Sequence, residues 1–151
     1  MKIWDIKVKY NLVCEEPEPP VCNSADLAVN YMKGAFDEYP EQESFWVIML
    51  NRKNKPLGRQ MITLGTQVNT LVHPREVFRA VLLAHATAFI CVHNHPSGDP
   101  CPSAADMQVT RQLREAAKVM DITMLDHVII GRAAADPAGT GYYSFRATGL
   151  I

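Results

Sequence analysis

Alternating apolar and polar residues at the start of the chain predict a β-strand. From residue 4 to residue 12 every second residue is apolar, and the residues between them are Asp, Lys or Asn. This period of two is typical of a strand with one buried face. We predict the strand over residues 1–13, and the proline-rich acidic segment 14–23 that follows predicts a stiff, exposed connection.

Beyond this connection, the apolar pattern changes repeatedly between helical and extended spacing. The predicted elements are a helix at 25–36, strands at 45–50 and 57–64, a helix at 74–84, a strand at 87–92, a helix from residue 103, and strands at 122–130 and 142–145. Helical spacing predicts these inward-facing residues: Leu27, Tyr31, Ala35, Val109, Leu113, Ala116 and Met120. The pattern predicts one α/β domain over residues 1–151, with a mixed sheet flanked by helices and a core region at 24–151.

A strand, a turn and a helix start are predicted to meet around His93 and His95. The apolar, β-branched run 87–92 predicts a buried strand that ends at these histidines. Residues i and i+2 of an extended chain point to the same face, so both imidazoles can reach one ion. After a turn rich in proline and glycine, Ser103 predicts a helix N-cap. Asp106 then falls in the first helical turn, where the helix dipole favours its ionised form.

Two histidines and a carboxylate at this spacing predict a metal centre. Three protein ligands leave a fourth position for water, which is typical of catalytic zinc. We expect His93, His95 and Asp106 to bind one zinc ion per chain, although iron or manganese also suits these ligands. Each part has a plainer interpretation, because Ser103-x-x-Asp106 is also close to a capping box and a lone strand-end histidine is usually structural. The combination favours the metal centre.

These residues, with Glu43 upstream, resemble the JAMM motif of the JAB/MPN metalloprotease superfamily, Glu…His-x-His…Ser-x-x-Asp. Asn94 stands where the superfamily usually has Ser or Thr, and His-Asn-His-Pro-Ser-Gly-Asp-Pro is the form of the RadC branch. Further RadC-like stretches are 43–50, 72–78 and 125–131. The likeness covers about residue 24 to the C-terminus and implies a JAB/MPN fold of the cytidine-deaminase-like type.

The resemblance implies a role for each matching residue. His93, His95 and Asp106 match the zinc ligands of the family. Glu43 matches the glutamate that accepts a proton from the attacking water, and Ser103 matches the serine that helps to hold the polarised substrate oxygen. Each role is chemically reasonable, since a positioned carboxylate can transfer protons and a hydroxyl donor can stabilise a developing oxyanion.

Two other acidic residues compete with Glu43 for the role of general base. Glu41 lies two residues away, and Glu76 lies in the first turn of the helix predicted after Pro74, where the dipole explains an acid. Glu43 is favoured because it directly precedes the predicted strand 45–50, and a strand end fixes a carboxylate better than a loop does.

Three further histidines are not expected to bind metal directly. His73 is predicted to cap the helix that begins at Pro74, and His85 falls near the end of that helix, where a cation is favoured. His127 follows Asp126 within a predicted strand. That pair is interpreted either as a hydrogen-bonded structural pair, which we favour, or as support for the metal ligands.

Charge and composition narrow the classes of function. The chain has 15 Lys and Arg against 16 Asp and Glu, so no strongly basic character indicates DNA binding. The nearest basic cluster, Arg111, Arg114 and Lys118, is interpreted as a solvated helix face. The four cysteines form no Cys-x-x-Cys pair. No apolar run approaches membrane-spanning length, and the N-terminus is unlike a signal peptide, so we expect a cytoplasmic protein.

The sequence predicts a zinc-dependent hydrolase that cleaves an amide or isopeptide bond in a protein or peptide. Two alternatives stay open: a DNA-repair-associated accessory protein or metal-dependent nuclease, as the RadC resemblance suggests, and a metal-binding scaffold without catalysis. Nucleic acid is the weaker partner, and we expect no helix-hairpin-helix region of the kind that longer RadC proteins carry. The substrate and the oligomeric state are not predicted.

Overall fold

The computed structural model describes residues 20–65 and 72–151. The predicted opening strand at 1–13 and residues 14–19 of the connection lie outside the described residues. The helices are α1 (Ala25–Tyr31), α2 (Pro74–Leu83) and α3 (Ala104–Val119), with a 3₁₀ turn at Ala133–Ala135. The strands are β1 (Ser44–Leu50), β2 (Pro56–Leu64), β3 (Ala88–Asn94), β4 (Thr123–Ile130) and β5 (Tyr142–Ser144). No helix of the described part is both long and apolar enough to cross a membrane.

The five strands form one mixed sheet in the order β2-β1-β3-β4-β5. β1 runs antiparallel to β2 and to β3, whereas β3 and β4 are parallel and are connected through α3. β5 pairs antiparallel with β4. The predicted α/β fold, a mixed sheet flanked by helices, is confirmed.

Apolar side chains cover both faces of the sheet. On one face, Phe45, Val47 and Met49 of β1 pack in a core with α2 and α3. On the other, Ile48 and Leu50 pack in a core with α1. This alternation follows from the period of two in a strand. β3 is buried throughout, so the chain that leads to the histidines is held on both faces.

The first helix is shorter than the sequence predicted. α1 ends at Tyr31 rather than near residue 36, and the turns that follow include Gly34 with φ of 78°. Leu27, Tyr31 and Ala35, predicted to face inward, are half-buried and pack against the core. The fully buried positions are Ala28 and Met32, one residue further along the helix.

The buried stripe of α3 also differs from the prediction. Leu113 is fully buried, as expected, and Val109 and Ala116 pack half-buried against the core. The prediction for Met120 was wrong: it is the helix C-cap and is 45% exposed. The observed stripe is Asp106, Thr110, Leu113 and Ala117. Apolar periodicity missed it because its first two members are polar residues with buried hydrogen bonds.

The start of α2 matches the prediction only in part. Pro74 occupies the beginning of the helix, where its missing N–H costs nothing. His73 is the N-cap residue, as predicted, but its side chain makes no capping hydrogen bond. The backbone of His85 adopts φ of 52° directly after the C-cap and ends the helix.

Candidate metal centre

The end of β3 places His93 and His95 side by side. His93 belongs to the strand and is fully buried, between β1 on one side and β4 on the other. His95 follows the strand, and its backbone N–H donates to the carbonyl of Ile130 at 2.8 Å. This bond continues the strand pairing and holds both imidazoles on the same side, with their Nε2 atoms 3.1 Å apart.

Asp106 completes a compact set of donor atoms. Its Oδ1 lies 3.2 Å from Nε2 of His93, and its Oδ2 lies 3.5 Å from Nε2 of His95. Ligand atoms about 2.0–2.1 Å from a tetrahedral zinc ion are about 3.3 Å from one another. The two imidazole nitrogens are separated by nearly this distance, and each lies at nearly this distance from one of the two carboxylate oxygens of Asp106, so the residues are close enough to bind one ion together.

Asp106 is both a helix cap partner and a member of this donor set. Its Oδ2 accepts from the backbone N–H of Ser103 at 2.7 Å, and its own N–H donates to the Ser103 hydroxyl at 3.1 Å. The capping box and the metal-ligand interpretation are thus compatible, because the box fixes the rotamer that points Oδ1 at His93. Burial opposes ionisation of Asp106, but hydrogen bonds from His93, His95 and Ser103 outweigh it and hold its pKa well below the ordinary range.

Ser103 uses its hydroxyl hydrogen within the capping box. The hydroxyl donates to Oδ2 of Asp106 at 2.6 Å. To donate to a substrate oxygen, this hydroxyl would have to rotate away from the carboxylate. Its predicted part in holding the substrate oxygen therefore stays a prediction, while its contact with Asp106 is a feature of the structure.

Glu43 lies immediately before β1 and contributes the fourth member of the cluster. One carboxylate oxygen of Glu43 lies within 4.8 Å of the donor atoms of His93, His95 and Asp106. Glu43 also lines an open cleft of about 420 Å³, whose other lining residues are Glu41, His95, Pro96 and Ser97. Glu41 is not part of the cluster.

Comparison with known proteins assigns the chain to a family. The sequence profile of the RadC-like JAB domain matches residues 22–150. The chain belongs to the RadC-like JAB domain family.

Many relatives share this domain. A UPF0758 protein of Bacillus licheniformis is 44% identical over 122 residues, which are 81% of this chain and 53% of that protein. One of Chlorobium phaeovibrioides is 47% identical over 77% of this chain and 48% of its own length. One of Listeria welshimeri is 52% identical over 60% of this chain and 41% of its own length. The chain spans about half the length of these relatives.

In this RadC-like domain, Asn94 joins the histidine segment to the backbone around Glu43. Its Oδ1 accepts from the N–H of Ser44 at 2.8 Å, and its Nδ2 donates to the carbonyl of Gln42 at 3.0 Å. The two partners fix the orientation of the amide, because a carbonyl cannot donate and an N–H cannot accept. The side chain between the two histidines therefore holds the residues on both sides of Glu43, a contact that the sequence did not predict.

The turn that follows β3 in this RadC-like domain orients the ring of His95. Its Nδ1 lies 2.8 Å from the carbonyl of Asp99, which can only accept, so Nδ1 carries a hydrogen and Nε2 faces the cluster. Burial lowers the pKa of His95. Hydrogen bonds to Asp106 and to the Asp99 carbonyl, together with the charges of Asp106 and Glu43, outweigh burial and raise it. The environment of His95 thus favours a cation at its Nε2.

The side chain of His127 contacts His93, on the side of its ring away from the cluster, and the side chain of Asp126 does not. Nε2 of His127 lies 2.8 Å from Nδ1 of His93. The Asp126 carboxylate accepts from the backbone N–H of His127 at 2.7 Å, from the Ser144 hydroxyl at 2.6 Å and from the N–H of Arg146 at 3.0 Å. The hydrogen-bonded pair that we favoured is therefore present through the backbone of His127, while the His127 side chain contacts His93, as the alternative interpretation expected. Burial, followed by the neighbouring His93, lowers the pKa of His127 well below its ordinary value, which favours the neutral form of His127.

The remaining candidate residues of the RadC-like domain lie apart from the cluster. Glu76 forms an ion pair with Arg79 at 2.8 Å on the surface of α2. In the predicted basic cluster, Lys118 is exposed and paired with Glu115 at 2.8 Å. Cys22 and Cys91 are buried free thiols, and Cys101 is an exposed one; Cys14 lies outside the described residues.

Proposed function

We propose that this RadC-like JAB domain is a zinc-dependent hydrolase that cleaves an amide or isopeptide bond of a protein or peptide. The observation that carries the proposal is the convergence of Glu43, His93, His95 and Asp106, whose ligand atoms lie within 4.8 Å of one another. Membership of the RadC-like JAB domain family supports it.

His93, His95 and Asp106 are the proposed metal ligands. Their ligand atoms lie close enough to bind one ion, and two imidazoles with one carboxylate are a ligand set found in catalytic zinc sites. A zinc ion held there would supply a Lewis acid for the substrate carbonyl and lower the pKa of its water to about 7.

Glu43 is the proposed general base. Its carboxylate reaches the same point as the three ligands and also lines the open cleft, so it can contact both a water molecule and a substrate. We propose that it takes a proton from the attacking water and returns it to the leaving amine. The Ser103 hydroxyl, once turned away from Asp106, would donate to the developing oxyanion.

The shape of the site supports a polymer substrate. The cleft beside Glu43 and His95 is open to solvent rather than enclosed. Such a cleft can receive an extended main chain with the scissile carbonyl directed toward His95, whose side chain is partly exposed. A protein or peptide segment therefore suits the site.

Hydrolysis of a defined substrate panel tests the proposal. The zinc-loaded protein would be assayed on fluorogenic peptides, isopeptide-linked ubiquitin-like conjugates and single- and double-stranded DNA, beside His95→Ala. We expect release of amines from the amide or isopeptide substrates, abolished in the variant. Metal-dependent DNA cleavage without amide hydrolysis would support the nuclease alternative instead, and zinc binding without any hydrolysis would support the scaffold.

A further inference from the structure

Three buried side chains form a line of hydrogen bonds that ends at His93. The hydroxyl of Thr110 lies 2.6 Å from the backbone carbonyl of Asp106 and 2.6 Å from Nδ1 of His127. Nε2 of His127 lies 2.8 Å from Nδ1 of His93. Thr110 is 2% exposed, and both imidazoles are fully buried, so none of these groups has water as an alternative partner.

The hydrogen bond between Thr110 and the Asp106 carbonyl determines which atoms donate and which accept along this line. A backbone carbonyl only accepts, so the Thr110 hydroxyl must donate its single hydrogen to Asp106. Toward His127 the same oxygen can then only accept. Nδ1 of His127 therefore carries a hydrogen and donates it to Thr110.

The second bond is fixed in the same way. A neutral imidazole with its hydrogen on Nδ1 has a lone pair on Nε2. Nε2 of His127 therefore accepts, and the bond to His93 is donated by Nδ1–H of His93. In neutral His93 the lone pair then lies on Nε2, which faces His95 and Asp106. A lone pair beside a carboxylate is unfavourable unless a cation or a hydrogen-bond donor lies between them, and a metal ion meets this need.

We propose that Thr110 and His127 are positioning residues that select the Nδ1–H tautomer of His93 and so set the affinity of its Nε2 for the metal ion. This inference rests on the metal centre proposed above. The line also begins at the backbone carbonyl of Asp106, so it couples two of the three proposed ligands through α3 and β4.

Aromatic packing holds His127 in place independently of its hydrogen bonds. The ring of Phe145 stacks on His127 with centroids 4.9 Å apart and planes 10° apart. Phe45 contacts the same His127 ring in an edge arrangement, with centroids 5.4 Å apart. Replacement of His127 by Phe would therefore keep a flat ring in an aromatic site while removing both ring nitrogens.

Zinc affinity, measured by competition with a chromophoric chelator, tests the proposal without any substrate. We expect Thr110→Val to weaken zinc binding about 10-fold, and His127→Phe about 10- to 100-fold, as is usual when a partner of a ligating histidine is lost. Thr110→Ser keeps the hydroxyl and should bind zinc more tightly than Thr110→Val. His127→Gln keeps an acceptor for His93 and should bind zinc more tightly than His127→Phe. Thr63→Val is the matched control, because the buried Thr63 hydroxyl has no hydrogen-bond partner among the described residues.

Nitrogen-15 NMR of the zinc-loaded wild-type protein provides a second readout that needs no variant. We expect His127 to carry its hydrogen on Nδ1 and to have an unprotonated Nε2. Protonation at Nε2 of His127 would overturn the proposal.

Thermal unfolding separates positioning from a general loss of stability. A purely structural role would lower the melting temperature of the metal-free and zinc-loaded protein equally in Thr110→Val. We expect instead a smaller increase on zinc addition than in the wild type. If the wild type binds zinc and both Thr110→Val and His127→Phe bind it with the same affinity, this inference is overturned and the proposed metal centre is not. A wild type that binds no zinc would overturn the metal centre and the inference with it.

Discussion

The side-chain amide of Asn94 holds Glu43 in place by binding the backbone on both sides of it. Ser44 N–H donates to Oδ1 of Asn94 at 2.8 Å, and Nδ2 of Asn94 donates to the carbonyl of Gln42 at 3.0 Å. Asn94 also lies between the two histidines at the end of β3. One residue thus sets the position of the proposed base relative to the proposed ligands.

Asn94→Ala is expected to lower kcat for amide hydrolysis by about 10- to 100-fold, since a small displacement of a catalytic group has effects of this size. Zinc content should be unchanged, because the hydrogen bonds of the Asn94 side chain go to Ser44, Gln42 and no proposed ligand. Asn51→Ala is the matched control. It removes another backbone-binding amide, in the turn after β1, and should leave kcat near the wild-type value. Equal kcat in Asn94→Ala and wild type would contradict the positioning role.

Glu43→Gln is expected to retain zinc and to lose about 10²- to 10⁴-fold in hydrolysis, the usual contribution of a general base. Glu41→Gln is the control, because Glu41 lines the same cleft but lies outside the cluster. Steady-state kinetics beside metal analysis of both variants would check this. Equal losses in the two variants would indicate that acidic charge in the cleft matters, rather than proton transfer by Glu43.

Ser103→Ala removes the cap of α3. We expect the free energy of unfolding to fall by about 1 kcal/mol, the usual cost of losing an N-cap side chain. Urea denaturation of the metal-free protein measures this. Ser24→Ala removes the cap of α1, where the hydrogen bond to Leu27 is long at 3.4 Å and exposed, and should cost less. A larger loss in Ser24→Ala would contradict this ranking of the two caps.

The cysteines are expected to differ in reactivity at pH 8. Burial raises the pKa of Cys22 to about 11, so only about one thousandth of it is thiolate at that pH, and burial also raises the pKa of Cys91. Cys101 is exposed. Brief treatment of the native protein with iodoacetamide, followed by peptide mass spectrometry, should show alkylation of Cys101 and protection of the other two. Alkylation of Cys22 should rise as the pH approaches 11, and equal labelling of all three at pH 8 would contradict the described burial.

Much of the site could be predicted because its parts are near one another along the chain. His93, His95, Ser103 and Asp106 occupy one strand end, one turn and one helix start, and each of these has a local sequence signal. The bounds of β1 and β4 followed from apolar runs in the same way. The end of α1 was misjudged because apolar residues continue past Tyr31 into the turns around Gly34.

The supporting contacts could not be predicted because they depend on strand pairing. Asn94 reaches Ser44 across 50 residues, since β1 and β3 are antiparallel neighbours. His127 reaches His93 because β4 lies parallel beside β3. A partial signal did exist: Thr110 follows Asp106 by four residues on one helix face, and His127, like Asp126 before it, is a polar residue in a mainly apolar strand.

The metal content of the purified protein tests the central claim most directly. Inductively coupled plasma mass spectrometry would be applied to the wild type, His95→Ala and Asp106→Ala, with His73→Ala as control, because the His73 side chain makes no capping hydrogen bond. The account predicts about one zinc ion per chain in the wild type and the control, and loss of zinc in the other two. A folded wild type that takes up no zinc even when the metal is supplied, or equal zinc in all four proteins, would contradict it.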